Sequence, residues 1–202
     1  MLKIIKGMAF KEKLGYIWEY YKLQIIIIII AVAMLFSIID RFLNPRPDTY
    51  ISVSFLGGHI SSEKIYEFQE YLNENFVPAD INAEALVNNF YTSSDPELDM
   101  ALQVKLTTML MSSGIDVIIS SDEEFERLKG QGSAFYNLGS LLTDAADYGS
   151  QIIENGEVVG LKVNKSDILD KLQIDYKNKI FCIYINSNKI EEASGLIKYL
   201  VN

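Results

Sequence analysis

An α/β domain carried on an N-terminal transmembrane helix is the fold that this sequence predicts. Three observations carry that expectation. Leu23 to Ile39 holds no charge and includes six consecutive isoleucines, Ile25 to Ile30. From Tyr50 to Gly130, strand-like and helix-like stretches alternate, as they do in layered α/β folds with a largely parallel sheet. Within them, Ile115-Asp116-Val117-Ile118-Ile119-Ser120 is a run rich in β-branched residues, the texture of a strand covered on both faces.

The apolar stretch is too long for a strand. As a helix from Leu23 to about Leu43 it reaches ~30 Å, the thickness of a bilayer's hydrocarbon core. Isoleucine is a mediocre helix former in water, but in lipid the backbone must satisfy its own hydrogen bonds and the helix wins. Tyr16, Trp18, Tyr20 and Tyr21 precede the span at the level of an interface, and Asn44-Pro45-Arg46-Pro47 follows as a helix-breaking linker over 44–49. Ala31-Val32-Ala33 fits a leader-peptidase pattern, yet the residues after it are as apolar as those before and the charged leader is long, so an uncleaved anchor is expected.

Charge orients the chain. Lys3, Lys6, Lys11, Lys13 and Lys22 precede the span and only Arg41 and Arg46 follow it closely, which places residues 1–22 in the cytoplasm and 50–202 outside the cell membrane. The whole chain is −9; residues 1–47 are +4, leaving 11 basic and 24 acidic residues, a net of −13, beyond them. So acidic a domain is a poor nucleic-acid binder, and no nucleic-acid partner is expected. The single cysteine, Cys182, allows no internal disulfide, so the outer domain must rest on its core.

The elements follow in order. Tyr50 to Leu56 alternates as a first strand, and Gly57-Gly58 ends it. Ser61 or Ser62 caps a helix whose face is Ile65, Phe68, Leu72 and Phe76; Ile81 to Val87 is the second strand. Asp95-Pro96-Glu97 starts a helix with the stripe Leu98, Ala101, Leu102, Leu106, Met109 and Leu110, closed by Gly114. After the Ile115 strand, Ser121 and Glu124 form a capping box for a short helix ending by Gly130. Asn155-Gly156 between two apolar runs signals a hairpin, and Lys179 to Ile185 is a last strand; the two are expected to add an antiparallel portion to the sheet. Asn188 and Glu191 open a final helix with Ile190, Ala193, Ile197, Leu200 and Val201 on one face.

The segment Asp99 to Leu142 resembles extracellular solute-binding proteins of bacterial ABC transporters, through Ser113-Gly114, Asp116-Val117-Ile118-Ile119, Phe125, Gly132, Leu138 and Leu141-Leu142. Tyr184 to Leu200, with Asn186-Ser187, Ala193, Ile197 and Leu200, is similar to the strand and helix that close many of them. The N-terminal "KEKLGYIWEYYK" before a span resembles small single-pass membrane proteins of Firmicutes that carry such a domain outside. The resemblance implies one lobe of a periplasmic-binding-protein type II-like fold, because the residues beyond the span suffice for one lobe and not for two.

Candidate site residues follow from topology. In an open α/β sheet ligands bind at the carboxyl ends of strands. His59, the single histidine, follows the first strand beside a helix N-terminus; Ser120, Ser121 and Asp122 hold the equivalent place after the third. Ligand binding at these four is weighed against a turn histidine and ordinary helix capping. Glu123, Glu124 and Glu126 lack EF-hand spacing, and one histidine with one cysteine leaves little material for a metal centre or a thiol nucleophile. No catalytic set, metal or cofactor is expected. The expected role is non-catalytic: binding another membrane or envelope protein while anchored through residues 23–43, with small-molecule binding for a transporter as the alternative.

Overall fold

The computed structural model describes residues 10–43, 47–142 and 149–201. The chain divides into two units, Met1–Arg46 and Pro47–Asn202. In the first, helix α1 (Phe10–Leu43) is one continuous helix. Tyr21–Asp40 within it is long and apolar enough to cross a membrane, with a mean hydropathy of 2.7 and no side chain of the window buried. The expected span 23–43 therefore continues N-terminally through residues 10–22 without a break. Lys3 and Lys6 lie outside the described residues, as do residues 44–46 of the expected linker; Asp48 and Thr49 already belong to the first strand.

The second unit is a mixed α/β domain. Its strands are β1 (Asp48–Leu56), β2 (Ala83–Phe90), β3 (Val117–Ser120), β4 (Gly149–Glu154), β5 (Glu157–Val163) and β6 (Ile180–Ile183). Its helices are α2 (Ser62–Asn75), α3 (Pro96–Met111), α4 (Asp122–Gly130), α5 (Leu138–Leu141), α6 (Asp167–Lys171) and α7 (Ile190–Val201). The six strands form one sheet in the order β2-β1-β3-β6-β5-β4.

The sheet is mixed: the hairpin and the last strand add the expected antiparallel portion, but that portion is the larger one, which corrects the expectation of a mostly parallel sheet. β1 pairs in parallel with β2 and β3, whereas β3–β6, β6–β5 and β5–β4 are antiparallel. The reason lies in the connections. The helical crossovers α2 and α3 return the chain to the same end of the sheet, whereas Asn155 (φ 52°) and Gly156 (φ 85°) close a two-residue turn that sets β4 and β5 antiparallel. Positive φ at both central positions is the type I′ geometry that matches strand twist.

Both sheet faces are covered. On one, Ile51, Val53 and Phe55 of β1 meet Phe68 and Leu72 of α2 and Leu196, Ile197 and Leu200 of α7, all buried. Phe55 and Phe68 cross edge-to-face at 5.7 Å, and each such buried side chain contributes about 1.5–3 kcal/mol. On the other, Leu56, Ile118 and Cys182 pack with Leu106 and Leu110 of α3 and Phe125 and Leu128 of α4. Phe125 stacks on Phe135 at 4.7 Å.

Local signals set the helix starts. Ser61 caps α2 by accepting from Lys64 N, and Asp95 caps α3 by accepting from Glu97 N and Leu98 N. Ser121 caps α4 by accepting from Glu124 N at 3.3 Å, but only half of the expected box forms: the Glu124 carboxylate turns to Arg127 at 2.6 Å. At the end of α3 the left-handed residue is Ser113 (φ 55°), one place before the expected Gly114. Of the stripe expected to bury α3, Leu106 and Leu110 are buried and Leu102 and Met109 partly so, whereas Leu98 and Ala101 are exposed. At the start of α7 the Ser187 hydroxyl accepts from Lys189 N, in the place where the Asn188 side chain was the expected cap.

Candidate functional site

The loops after β1 and β3 diverge. α2, after β1, packs on one face of the sheet; α4, after β3, packs on the other. A crevice opens between two adjacent parallel strands whose connections part in this way, and ligands of open α/β sheets sit there.

Close approach shapes the crevice. Gly57 stands at φ +91°, and a Cβ on it would lie 2.3 Å from Ser121 Oγ, so glycine is required. Ser121 N–H donates to Leu56 O at 3.1 Å, which fastens the second loop to the first strand. Asn89, at the end of β2, clamps the turn from the other side: its Oδ1 accepts from Ile60 N at 2.9 Å and its Nδ2 donates to Gly58 O at 2.7 Å.

The four expected residues occupy distinct surroundings. His59 is exposed and meets Tyr91 edge-to-face at 4.6 Å. The pair separates two shallow cavities, one of about 340 Å³ toward Ser62, Tyr66 and Gln69, and one of about 180 Å³ toward Gly57, Ser121 and Glu123. His59 and Ser121 share the smaller one. Ser120 is fully buried and its hydroxyl has no hydrogen-bond partner among the described residues. Asp122 pairs with Lys162 Nζ at 2.7 Å, bridging α4 to β5. Two aromatic pairs, Phe90-Tyr91 and Phe135-Tyr136, divide: Phe90 and Phe135 are buried, Tyr136 packs against the core, and Tyr91 lines both cavities. Among the described residues no group of three His, Cys, Asp or Glu could hold a metal ion. Cys182 is wholly buried and burial pushes its thiol pKa far up, so it offers no thiolate.

Two polar residues escaped the sequence reading. Lys179 arrives at the same edge because β6 runs antiparallel to β3. It is only 8% exposed, and its Nζ is 3.1 Å from where a Cβ on Gly58 would stand. Burial pushes its ammonium below the ordinary 10.5, and Asp175 opposes that shift. Asp116 lies buried at the opposite end of β3. Its carboxylate accepts from Ser52 N at 2.8 Å and from Ser187 Oγ at 2.6 Å. A lone aspartate ahead of an apolar run was the available signal for the second; nothing local marked the first.

A second surface lies on α3. Met100, Val104, Thr107 and Met111 recur at i, i+4, i+7 and i+11, and all four are exposed. Met100, Val104 and Met111 expose 69%, 60% and 83%. The Thr107 hydroxyl donates back to Gln103 O at 2.9 Å, so this stripe presents little polarity. Leu102, Leu106 and Met109 occupy the opposite side of the helix, toward the core. α3 is therefore apolar on two sides, while the sheet beneath it carries Ser52 Oγ, Ser54 Oγ and Asn88 Nδ2, buried and without a partner among the described residues.

Comparisons with family models, with curated proteins and with solved structures gave no match.

Proposed function

We propose that this protein is a non-catalytic interaction module, anchored by α1 in a bacterial cell membrane with its acidic α/β domain outside, that docks a second membrane or envelope protein on the outward face of α3. The observation that carries this reading is the apolar stripe Met100, Val104, Thr107 and Met111. A helix apolar on both sides is ordinarily covered on both sides, and exposed contiguous apolar surface marks interaction sites. Asp95, Glu97 and Asp99 stand at the start of the same helix in a domain of net −13, so the partner presents an apolar segment with basic flanks. A tether confines the domain to the membrane surface, where such a partner is at high effective concentration. The single α/β unit agrees with one lobe of a solute-binding protein, a lobe that has given up hinge closure for docking.

A photo-reactive residue at position 104 in the full chain, irradiated in native membranes, tests this. The expected adduct forms at 104, not at the exposed Glu67 of α2. It weakens at high salt and disappears in Met100→Lys or Met111→Lys. An adduct indifferent to those charges, or equal yields at 67 and 104, sinks the reading.

A second reading has its own observation. The two cavities at His59 and Tyr91 are small for a drug-sized ligand, at about 340 and 180 Å³, but they lie at the switch point of the sheet. They support small-molecule binding on behalf of a transporter.

A further inference from the structure

We infer that the partner proposed for α3 anchors itself by a tyrosine side chain in the cavity at the C-terminal end of that helix. The inference rests on docking at α3 and names the group that fixes it.

The cavity measures about 450 Å³, more than either cavity at His59. Thr107 and Met111 belong both to its wall and to the exposed stripe, so the stripe runs into it. Leu110 and Tyr184 are buried members of the wall, while Gln131, just after α4, and Asn186, just after β6, are exposed ones. Interfaces seat their anchor residues in such pockets, enclosed by weaker contacts that exclude water.

The lining selects the anchor. In a domain of net −13, none of the described residues lining this cavity carries a charge. A lysine or arginine entering it would lose water and meet no carboxylate. The partner's basic flank therefore belongs at the other end of α3, with Asp95, Glu97 and Asp99. An aliphatic or phenyl group would fill the space but leave polar groups unmatched. Tyr184 is only 7% exposed; its hydroxyl accepts from Asn186 Nδ2 at 3.5 Å, and its own proton has no acceptor among the described residues. A buried donor without an acceptor favours an occupant that brings one. A phenol meets both demands. Its ring covers Leu110 and Met111, and its hydroxyl accepts from Tyr184 while donating to an amide oxygen of Gln131 or Asn186. From Glu97 to Met111 a helix rises about 20 Å, which is the distance between the basic flank and the tyrosine on the partner.

The test uses the full chain in uncharged detergent micelles, its methionine methyls labelled with ¹³C and assigned by single Met→Leu variants, with p-cresol and toluene as probes. Met111 reads the cavity, Met100 the far end of the stripe, and Met34 the span, where both probes partition with the detergent. p-Cresol should shift Met111 saturably, and Met34 and Met100 only linearly. In Tyr184→Phe, folded by circular dichroism, the Kd of p-cresol should rise about fivefold and that of toluene should stay the same. Asn186→Trp, at the exposed rim, should fill the cavity and abolish saturation. In native membranes Asn186→Trp should also cut the photo-adduct at 104 about tenfold. A linear Met111 response, or equal effects of Tyr184→Phe on the two probes, overturns the proposal. An adduct at 104 that Asn186→Trp leaves unchanged also overturns it, while docking on α3 stands. An adduct of this chain with itself overturns it as well, by naming a second copy as the occupant. If wild type forms no adduct at 104, the docking reading falls and the partner's tyrosine falls with it, and a saturable Met111 shift then leaves only a phenol-binding cavity.

Discussion

Asp116 is where one substitution should cost this fold most. Its Oδ2 accepts from the buried Ser52 amide at 2.8 Å and its Oδ1 from Ser187 Oγ at 2.6 Å. The Ser187 hydroxyl in turn accepts from Lys189 N at 3.0 Å, at the start of α7. The Asp116 backbone adds two more ties, N–H to Ser52 O and C=O from Tyr184 N, both 3.0 Å. One side chain thus joins β1, β3 and the β6–α7 turn. Hydrogen bonds to a charged acceptor contribute about 1.5–3 kcal/mol each, and an orphaned buried amide is expensive. Asp116→Ala loses both and should destabilise by about 3–5 kcal/mol. Asp116→Asn keeps one acceptor oxygen but turns an NH₂ toward the other donor, for about 2–3 kcal/mol. Ser187→Ala removes one bond and costs about 1–2 kcal/mol. For a domain of this size each kcal/mol moves Tm by about 2–4 °C, so Asp116→Ala should melt about 10 °C early. Thermal unfolding of the full chain in micelles, followed by circular dichroism, measures this. Asp116→Ala within about 1 kcal/mol of wild type, or additivity of Asp116→Ala with Ser187→Ala, would refute the argument, because residues in one network couple.

Ser54→Ala should raise stability by about 1 kcal/mol by removing a buried, unpartnered hydroxyl; a loss in denaturant titration would show that this hydroxyl has a partner. Gly57→Ala should cost about 2–4 kcal/mol, because it strains a residue at φ +91° and drives a methyl into Ser121 Oγ; a denaturation midpoint equal to wild type would reject it. Burial pushes Tyr199 up to about 12, with its bond to Tyr71 at 3.1 Å as a further cause. Its folded value lies above its unfolded one, so the stability it contributes is full below pH 10 and falls as pH rises from about 10 to about 12; Tyr199→Phe should flatten the unfolding free energy across that window. Cys182 should resist alkylation by iodoacetamide in native protein and react only on unfolding, as mass spectrometry would read.

What the sequence disclosed and what it hid follow from range. Asp95-Pro96, Ser61 and Ser121 act within three residues of themselves, so the starts of α2, α3 and α4 were readable. Asn155-Gly156 likewise fixes its own hairpin. The partner of β3 was not readable, since Val117 pairs with Ile183 across α4, α5, the β4–β5 hairpin and α6, a separation that no local pattern specifies. Ser52 and Ser54 read as the wet side of an alternating strand, yet β1 is central and α3 covers that side, so both are buried. The stripe chosen for α3 was partly right because the helix offers two apolar sides, and composition cannot say which one meets the sheet. Of the candidate site, the loop positions of His59 and Ser121 were legible from strand order; the burial of Ser120 and the pairing of Asp122 with Lys162 depend on strands far along the chain.

The reversal of the sheet after β3 has a chemical consequence at the crevice. Were the strand beside β3 parallel, it would end at this edge and send its own loop outward. β6 is antiparallel, so its first residues enter here, and the residue preceding it is Lys179. The reversal thus brings Lys179, 8% exposed as a residue, to the edge where β1 and β3 part. The same reversal leaves α3 to cover β1 and β2 on its face of the sheet. Over the apolar strand ends it seats Leu106 and Leu110; over Ser52, Ser54 and Asn88 it finds polar groups, and Lys105 reaches Asn88 Oδ1 at 2.8 Å. With the inward side of the helix only partly matched, the outward Met100, Val104 and Met111 are not spare core residues. They are surface in their own right, and a partner that covers them would compensate apolar area the domain itself leaves in water.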